Sequence, residues 1–207
     1  MLGYITDSES IYPVYHYLVQ NVADTTKYDA YIVSEEKIYA PKDSSGIFAL
    51  YGEESGSYVS YVETINFNNN FDTSKVTNMG SLFQGSAALE TLDLSNFDTS
   101  KVTNMRAMFG GTSASGDMHL KEIKVSDKFV TDNVTDMLEM FRLCRYLNFT
   151  FNVTGNKVTN YTNIFNNTAT DSNAKIVVNY TAETETLVDN MLATVSSGRN
   201  VVKGKQI

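Results

Sequence analysis

The chain has one cysteine among 207 residues, two prolines, two histidines and no tryptophan. A single thiol, Cys144, excludes an intrachain disulfide and any cluster of cysteine ligands around zinc. His16 and His119 have no second histidine at ligand spacing, so no metal and no cofactor is expected. Two prolines exclude a proline-rich linker. No window approaches the ~18 consecutive apolar residues of a spanning helix. Positive charge is also scarce: Lys+Arg 16 against Asp+Glu 24 leaves a net charge of −8, and no basic run appears. Phosphate-backbone binding then lacks its electrostatic footing, and nucleic acid is not an expected partner. The start, Met1 to Asp7, shows neither a basic nor an apolar leader region. That fits a mature or trimmed product, or a protein never exported by that route. What is present, 42% hydrophobic and 19% charged residues, is too apolar for a disordered chain and suits one domain, with or without an extension.

A repeat dominates the rest. Phe71-Asp72-Thr73-Ser74-Lys75-Val76-Thr77-Asn78-Met79 recurs letter for letter from Phe97 to Met105, an offset of 26 residues. Diverged copies run from Phe129 to Met137 and from Val153 to Tyr161. Each is followed by an apolar pair: Leu82-Phe83, Met108-Phe109, Met140-Phe141 and Ile164-Phe165. Between the copies lie alternating segments: Ile65-Asn66-Phe67, Leu92-Asp93-Leu94, Ile123-Lys124-Val125, Phe149-Thr150-Phe151 and Ile176-Val177-Val178. Period two reads as a strand with one buried face. Val76, Met79, Leu82 and Phe83 share one face of a short helix of about two turns. Gly85 and Gly111 stand where a left-handed residue would end it. One unit cannot bury both elements, so units must stack. The expected fold is therefore α/β, a short solenoid of parallel strands opposed by short helical segments.

Solenoids need covered ends. Residues 1–45 lack the clear repeat, hold seven of the thirteen tyrosines within the first forty positions, and read as a β-rich N-terminal cap or partial domain. Residues 46–180 form the solenoid. Pro41 to Phe48 looks like a degenerate copy of the helical block. Residues 181–207 read as a C-terminal cap: Thr181 or Thr184 caps a helix whose stripe is Leu187, Val188, Met191 and Leu192, and Asn200-Val201-Val202 forms a last strand.

The run Leu89-Glu90-Thr91-Leu92-Asp93-Leu94-Ser95-Asn96-Phe97-Asp98-Thr99-Ser100-Lys101-Val102-Thr103-Asn104-Met105 resembles the repeat of the BspA-like leucine-rich bacterial surface proteins, and the likeness spans about residues 62–180. It departs from that pattern in an irregular Tyr51–Tyr61 stretch, an insertion at Gly110–Asp117, and Val153 in place of Phe. The resemblance implies a leucine-rich solenoid on a cell-surface or secreted protein that binds host proteins, matrix or other cells, without enzymatic activity. Such repeats also occur in viral proteins, so a virion surface is the alternative location.

Candidate chemistry is thin. Gly80 to Gly85 resembles a phosphate loop, but Ser86 stands where the lysine is needed. Asp127, Asp132 and Asp136 miss the spacing of a calcium loop. Cys144 reads as an inert core thiol, and Met79, Met105, Met108, Met137 and Met140 as core filling. The stacked Thr77, Thr103, Thr135 and Thr159, with Asn78, Asn104, Asp136 and Asn160, read as side chains that satisfy the backbone of the next coil. No catalytic residue is assigned.

Outward strand positions remain as the binding face. They line up as Asn66, Asp93, Lys124, Thr150 and Val177, flanked by Thr64, Thr91, Glu122, Asn148 and Lys175. The N-terminal tyrosines, with Tyr12 and Tyr15 as candidates, offer the aromatic anchors that the row lacks. The expected function is a non-enzymatic adhesion module for a protein or glycan partner. A decoration domain of a surface layer, fibre or virion is the alternative.

Overall fold

The computed structural model describes residues 15–20, 22–23, 28–34, 37–49, 51–52, 57–58, 62–67, 70–112 and 116–207. Strands β1 (Tyr15–Gln20) and β2 (Tyr28–Val33) form an antiparallel hairpin. β3 (Ile38–Tyr39) pairs in parallel with β6 (Phe71–Asp72), and the two-residue strands β4 (Tyr51–Gly52) and β5 (Ser57–Tyr58) pair with each other. The main sheet is parallel and five-stranded, in the order β11-β10-β9-β8-β7. Its members are β7 (Thr91–Leu94), β8 (Glu122–Val125), β9 (Asn148–Val153), β10 (Lys175–Tyr180) and β11 (Val201–Gln206). Helix α1 (Glu185–Ala193) connects the last two.

The solenoid is present, and its sheet follows the alternating segments. Leu92, Leu94, Ile123, Phe149, Phe151, Ile176 and Val178 are buried, with exposed residues between those of β7, β8 and β9. One segment departs. Ile65, Asn66 and Phe67 alternate in exposure, yet they join no strand, and the sheet ends at β7.

The expected helical wall is a correction. Among the described residues α1 is the only α-helix. The wall opposite the sheet consists of turns that hydrogen-bond from coil to coil. The N–H groups of Met79, Ser81, Phe83 and Gly85 donate to the carbonyls of Asn104, Arg106, Met108 and Gly110 at 2.7–3.1 Å. Met105, Ala107, Phe109 and Gly111 donate in the same way to Asp136, Leu138, Met140 and Arg142. A helix would point its N–H groups along its own axis and not sideways to the neighbouring coil. Here a left-handed residue recurs at the same place in each coil, at Ser81 (φ 57°), Ala107 (49°), Glu139 (57°) and Asn163 (57°), and a second follows four residues later at Gly85, Leu143 and Asn167. Each costs about 1–2 kcal/mol for a residue with a Cβ. The peptides it redirects bind the next coil and offset that cost.

Apolar pairs of the repeat fill the space between the walls. Phe48, Phe83, Phe109, Phe141 and Phe165 stack face to face, with centroids 5.5–6.0 Å apart and planes within 15° of parallel. The degenerate copy therefore stacks: Phe48 N–H donates to Leu82 O at 3.1 Å, and Asp43 bridges Asn78. Met79, Met105, Met108, Met137 and Met140 are fully buried, as core filling requires.

Two threonine ladders hold the corners. Thr103 Oγ1 donates to Thr77 O, Thr135 to Thr103 O and Thr159 to Thr135 O, at 3.1–3.3 Å. Beside them Asn78, Asn104 and Asp136 accept from the backbone N–H two residues ahead. The threonines thus satisfy the backbone of a neighbouring coil, at the surface rather than in a buried bend, whereas Asn78, Asn104 and Asp136 serve the backbone of their own coil. A second ladder, which the repeat did not single out, is buried: Thr73, Thr99 and Thr131 are at most 2% exposed. Thr184 stands at the N-cap of α1, but its hydroxyl donates to Val153 O at 2.8 Å instead of serving the first turn.

Candidate functional site on the outer face of the sheet

Parallel pairing in register places the outward residues of successive strands side by side. Thr91 lies beside Glu122, Asp93 beside Lys124, Glu122 beside Asn148, Asn148 beside Lys175 and Thr150 beside Val177. Thr91, Asp93, Glu122, Lys124, Asn148 and Thr150 are all exposed. With Lys175 and Val177, eight of the twelve expected face residues therefore share one surface. Thr64 and Asn66 are exposed but stand outside the sheet. Tyr15 opens β1 opposite Val33, and Tyr12 lies outside the described residues.

The β7–β8 end of the face carries alternating charge. Hydrogen bonds from Ser95, its side chain foremost, hold the Asp93 carboxyl below its ordinary value, with a smaller contribution from the Lys124 charge. Lys121 pairs with Glu90 at 2.7 Å beside this row.

At the β9–β11 end the face dips into a shallow groove of about 650 Å³, lined by Thr150, Asn152, Val177, Asn179, Lys205 and Ile207. Asn152 and Asn179 lie directly side by side in register. After Val178 the pairing of β10 with β11 shifts by a bulge, which brings Gly204 and Lys205 over Asn179. The repeat pattern did not mark Asn152, Asn179 or Lys205. The bulge lies between β10 and β11, beyond the last copy of the repeat.

A second groove of about 450 Å³ lies at the corner that follows β7. Asp72, Asp98 and Asp127 line it with Lys37 and Lys128, and Asn96 Nδ2 is buried there without a partner. Asp72 and Asp98 each accept the N–H two residues ahead. Among the described residues no group of three or more His, Cys, Asp or Glu is set to hold a metal ion. Asp136 belongs to the corner ladder, and His119 packs edge-on against Tyr146.

Cys144 is fully buried, and burial alone pushes its thiol far above the ordinary range. Its Sγ donates to Phe109 O, as the Ser86 hydroxyl does to Phe48 O and the Thr168 hydroxyl to Phe141 O. A short donor at this position ties these three coils to the phenylalanine of the coil before. The thiol has the environment of an inert structural cysteine.

No described helix is long and apolar enough to cross a membrane. No curated protein and no solved structure shows significant similarity to the chain. Residues 57–180 match the family described as "Mycoplasma protein of unknown function, DUF285". That match takes in the four clear copies of the repeat and more than half of the sequence, and the chain accordingly belongs to this Mycoplasma family of unknown function.

Proposed function

We propose that this protein is a non-enzymatic binding module that contacts a protein or glycan partner through the outer face of its parallel sheet. The observation that carries this reading is the registered array of exposed polar side chains on β7, β8 and β9. The fold buries the other half of the same strands and leaves this half with no described covering element. The likeness of the repeat to BspA-like surface proteins adds a location, the cell surface, and a class of activity, adhesion. The opposite wall is less suited. Its backbone hydrogen bonds and corner side chains are consumed in joining coil to coil.

The test is an array of glycans and extracellular-matrix proteins probed with the full chain and with the double variant Asp93→Lys/Lys124→Glu. A partner retained by the native chain and lost by the variant, at unchanged melting temperature, supports the face. Loss on Tyr12→Ala or Tyr15→Ala instead, with the strand variant silent, moves binding to the N-terminal region. Substrate turnover that one acid-to-amide change abolishes in folded protein would overturn the non-enzymatic reading.

A further inference from the structure

We infer that the groove over β9, β10 and β11 takes an acidic polypeptide segment, held by a carboxylate at Asn152 and Lys205 with an aliphatic neighbour against Val177 and Ile207. This rests on the binding reading above and gives one part of that face its chemistry.

The argument begins at a group whose polarity is beyond choice. A backbone N–H can only donate. That of Lys205 donates to Asn179 Oδ1 at 3.0 Å. The Asn179 amide is thereby fixed, with its NH2 turned the other way, and Asn179 Nδ2 donates to Asn152 Oδ1 at 2.9 Å. The oxygen of Asn152 is thus occupied, and its own NH2 is the exposed end of the chain, at the lining of the groove. Gly204 makes the arrangement possible. A Cβ at that position would meet Asn179 Oδ1 and Val177 Cγ1 within 2.7 Å. Asn179 itself is only 6% exposed, so this polar chain is built into the strand pair and is no surface accident.

Charge points the same way. The protein carries a net charge of −8, yet the outward residues of β9 and β10 and the groove lining include Lys175 and Lys205 and no acidic side chain. Glu185 and Asp189 of α1 are taken up by Lys203 at 3.0 and 2.7 Å. No carboxylate of the described residues pairs with Lys175 or Lys205. Outward donors beside a free ammonium suit an acceptor bearing negative charge, and hydrogen bonds to such groups are the stronger kind. The apolar part is aliphatic, Val177 and Ile207, with no ring on which a sugar could stack. A polypeptide that alternates acidic and aliphatic side chains meets both demands.

The experiment is fluorescence anisotropy of the full chain with three labelled probes: a peptide alternating Leu and Glu, its Leu–Gln counterpart, and an oligogalacturonate. The Leu–Glu peptide should bind, more weakly as salt rises. The Leu–Gln peptide should bind roughly tenfold or more less tightly, the fold-change expected for a charge-assisted hydrogen bond, and the oligogalacturonate, which keeps the carboxylates but brings no aliphatic side chain to Val177 and Ile207, should also bind less tightly than the Leu–Glu peptide. Asn152→Asp keeps an acceptor for Asn179 Nδ2 but replaces the outward donor with a negative oxygen. It should lower Leu–Glu affinity roughly tenfold or more at unchanged melting temperature, and so should Lys205→Gln. Failure of the Leu–Glu peptide to bind, equal binding of its Leu–Gln form, or indifference to both substitutions overturns the inference. Tighter binding of the oligogalacturonate overturns the choice of polypeptide. A partner found on the array and lost with Asp93→Lys/Lys124→Glu would leave the broader face reading standing in each of those cases.

Discussion

Thr99 and Thr103 sit four residues apart on one coil, and burial separates their roles. Thr99 is 1% exposed, and its hydroxyl both donates to Val130 O at 2.6 Å and accepts Val130 N–H at 2.7 Å. Thr103 is exposed and donates to Thr77 O, which Thr103 N–H already reaches at 2.8 Å. Water can replace the second contact and cannot readily replace the first. Thr99→Val should therefore cost about 1–3 kcal/mol, the penalty of leaving buried polar groups unpaired. Thr103→Val should stay within ~0.5 kcal/mol, as exposed substitutions do. Urea unfolding of the two variants reads the contrast, and equal losses would show that the buried ladder has no special weight. Both residues are spelled in the repeated Phe-Asp-Thr-Ser-Lys-Val-Thr-Asn-Met string. Their different burial could not be read from it, because the alternation signal ends where the corner begins.

At the scale of elements, the stacked phenylalanines are the feature that the sequence states most directly. Phe109 lies between Phe83, at 6.0 Å, and Phe141, at 5.6 Å, and is fully buried. Phe109→Ala removes the middle ring and leaves a cavity between two coils, with an expected loss of ~3–5 kcal/mol. Contacts run only between neighbouring coils, so amide exchange should quicken first in residues 97–153 and least in β10 and β11. An unchanged melting temperature would refute the ladder as a source of stability. Residues 113–115 lie outside the described residues, whereas Gly111 is part of the wall: it is buried and its N–H donates to Arg142 O at 2.8 Å. Shortening the insertion leaves the wall intact only if Gly111 is kept.

Across the whole molecule, carboxylates recur at the coil corners with the same partner. Hydrogen bonds from Ser45, Ser95 and Ser100 hold Asp43, Asp93 and Asp98 below the ordinary carboxyl value, against a smaller opposing effect of burial. For Asp72 burial is the largest influence and raises the value, but Ser74 and Lys37 together outweigh it. A folded-state value below the unfolded one, about 3.9 for aspartate, stabilises the fold fully at higher pH. That contribution is lost as pH falls through the lower, folded values. Stability in urea should therefore hold nearly level from about pH 7 to 5 and drop below about pH 4, and the double variant Asp43→Asn/Asp98→Asn should show a shallower drop. A steady gain in stability on acidification would mean that relief of the net −8 repulsion outweighs the hydrogen-bonded carboxylates.

Sequence by itself determined the repeat, the alternating strands from β7 to β10, the buried phenylalanine and methionine positions, and the strand–helix–strand cap. All follow from side-chain periodicity, which is written in the order of residues. It did not determine the character of the second wall. Val76, Met79, Leu82 and Phe83 are buried whether the backbone is a helix or a left-handed turn, so their spacing cannot separate the two. What decides is where the N–H groups of Ser81, Ala107 and Glu139 go, and their acceptors, Arg106, Leu138 and Thr162, lie 23 or more residues away on the next coil. The same holds for the outer face. Asp93, Lys124 and Thr150 were legible as outward positions. The pairing that turns Asn152, Asn179 and Lys205 into one oriented chain depends on the bulge after Val178 and on the bare backbone of Gly204, which exist only once β11 has docked.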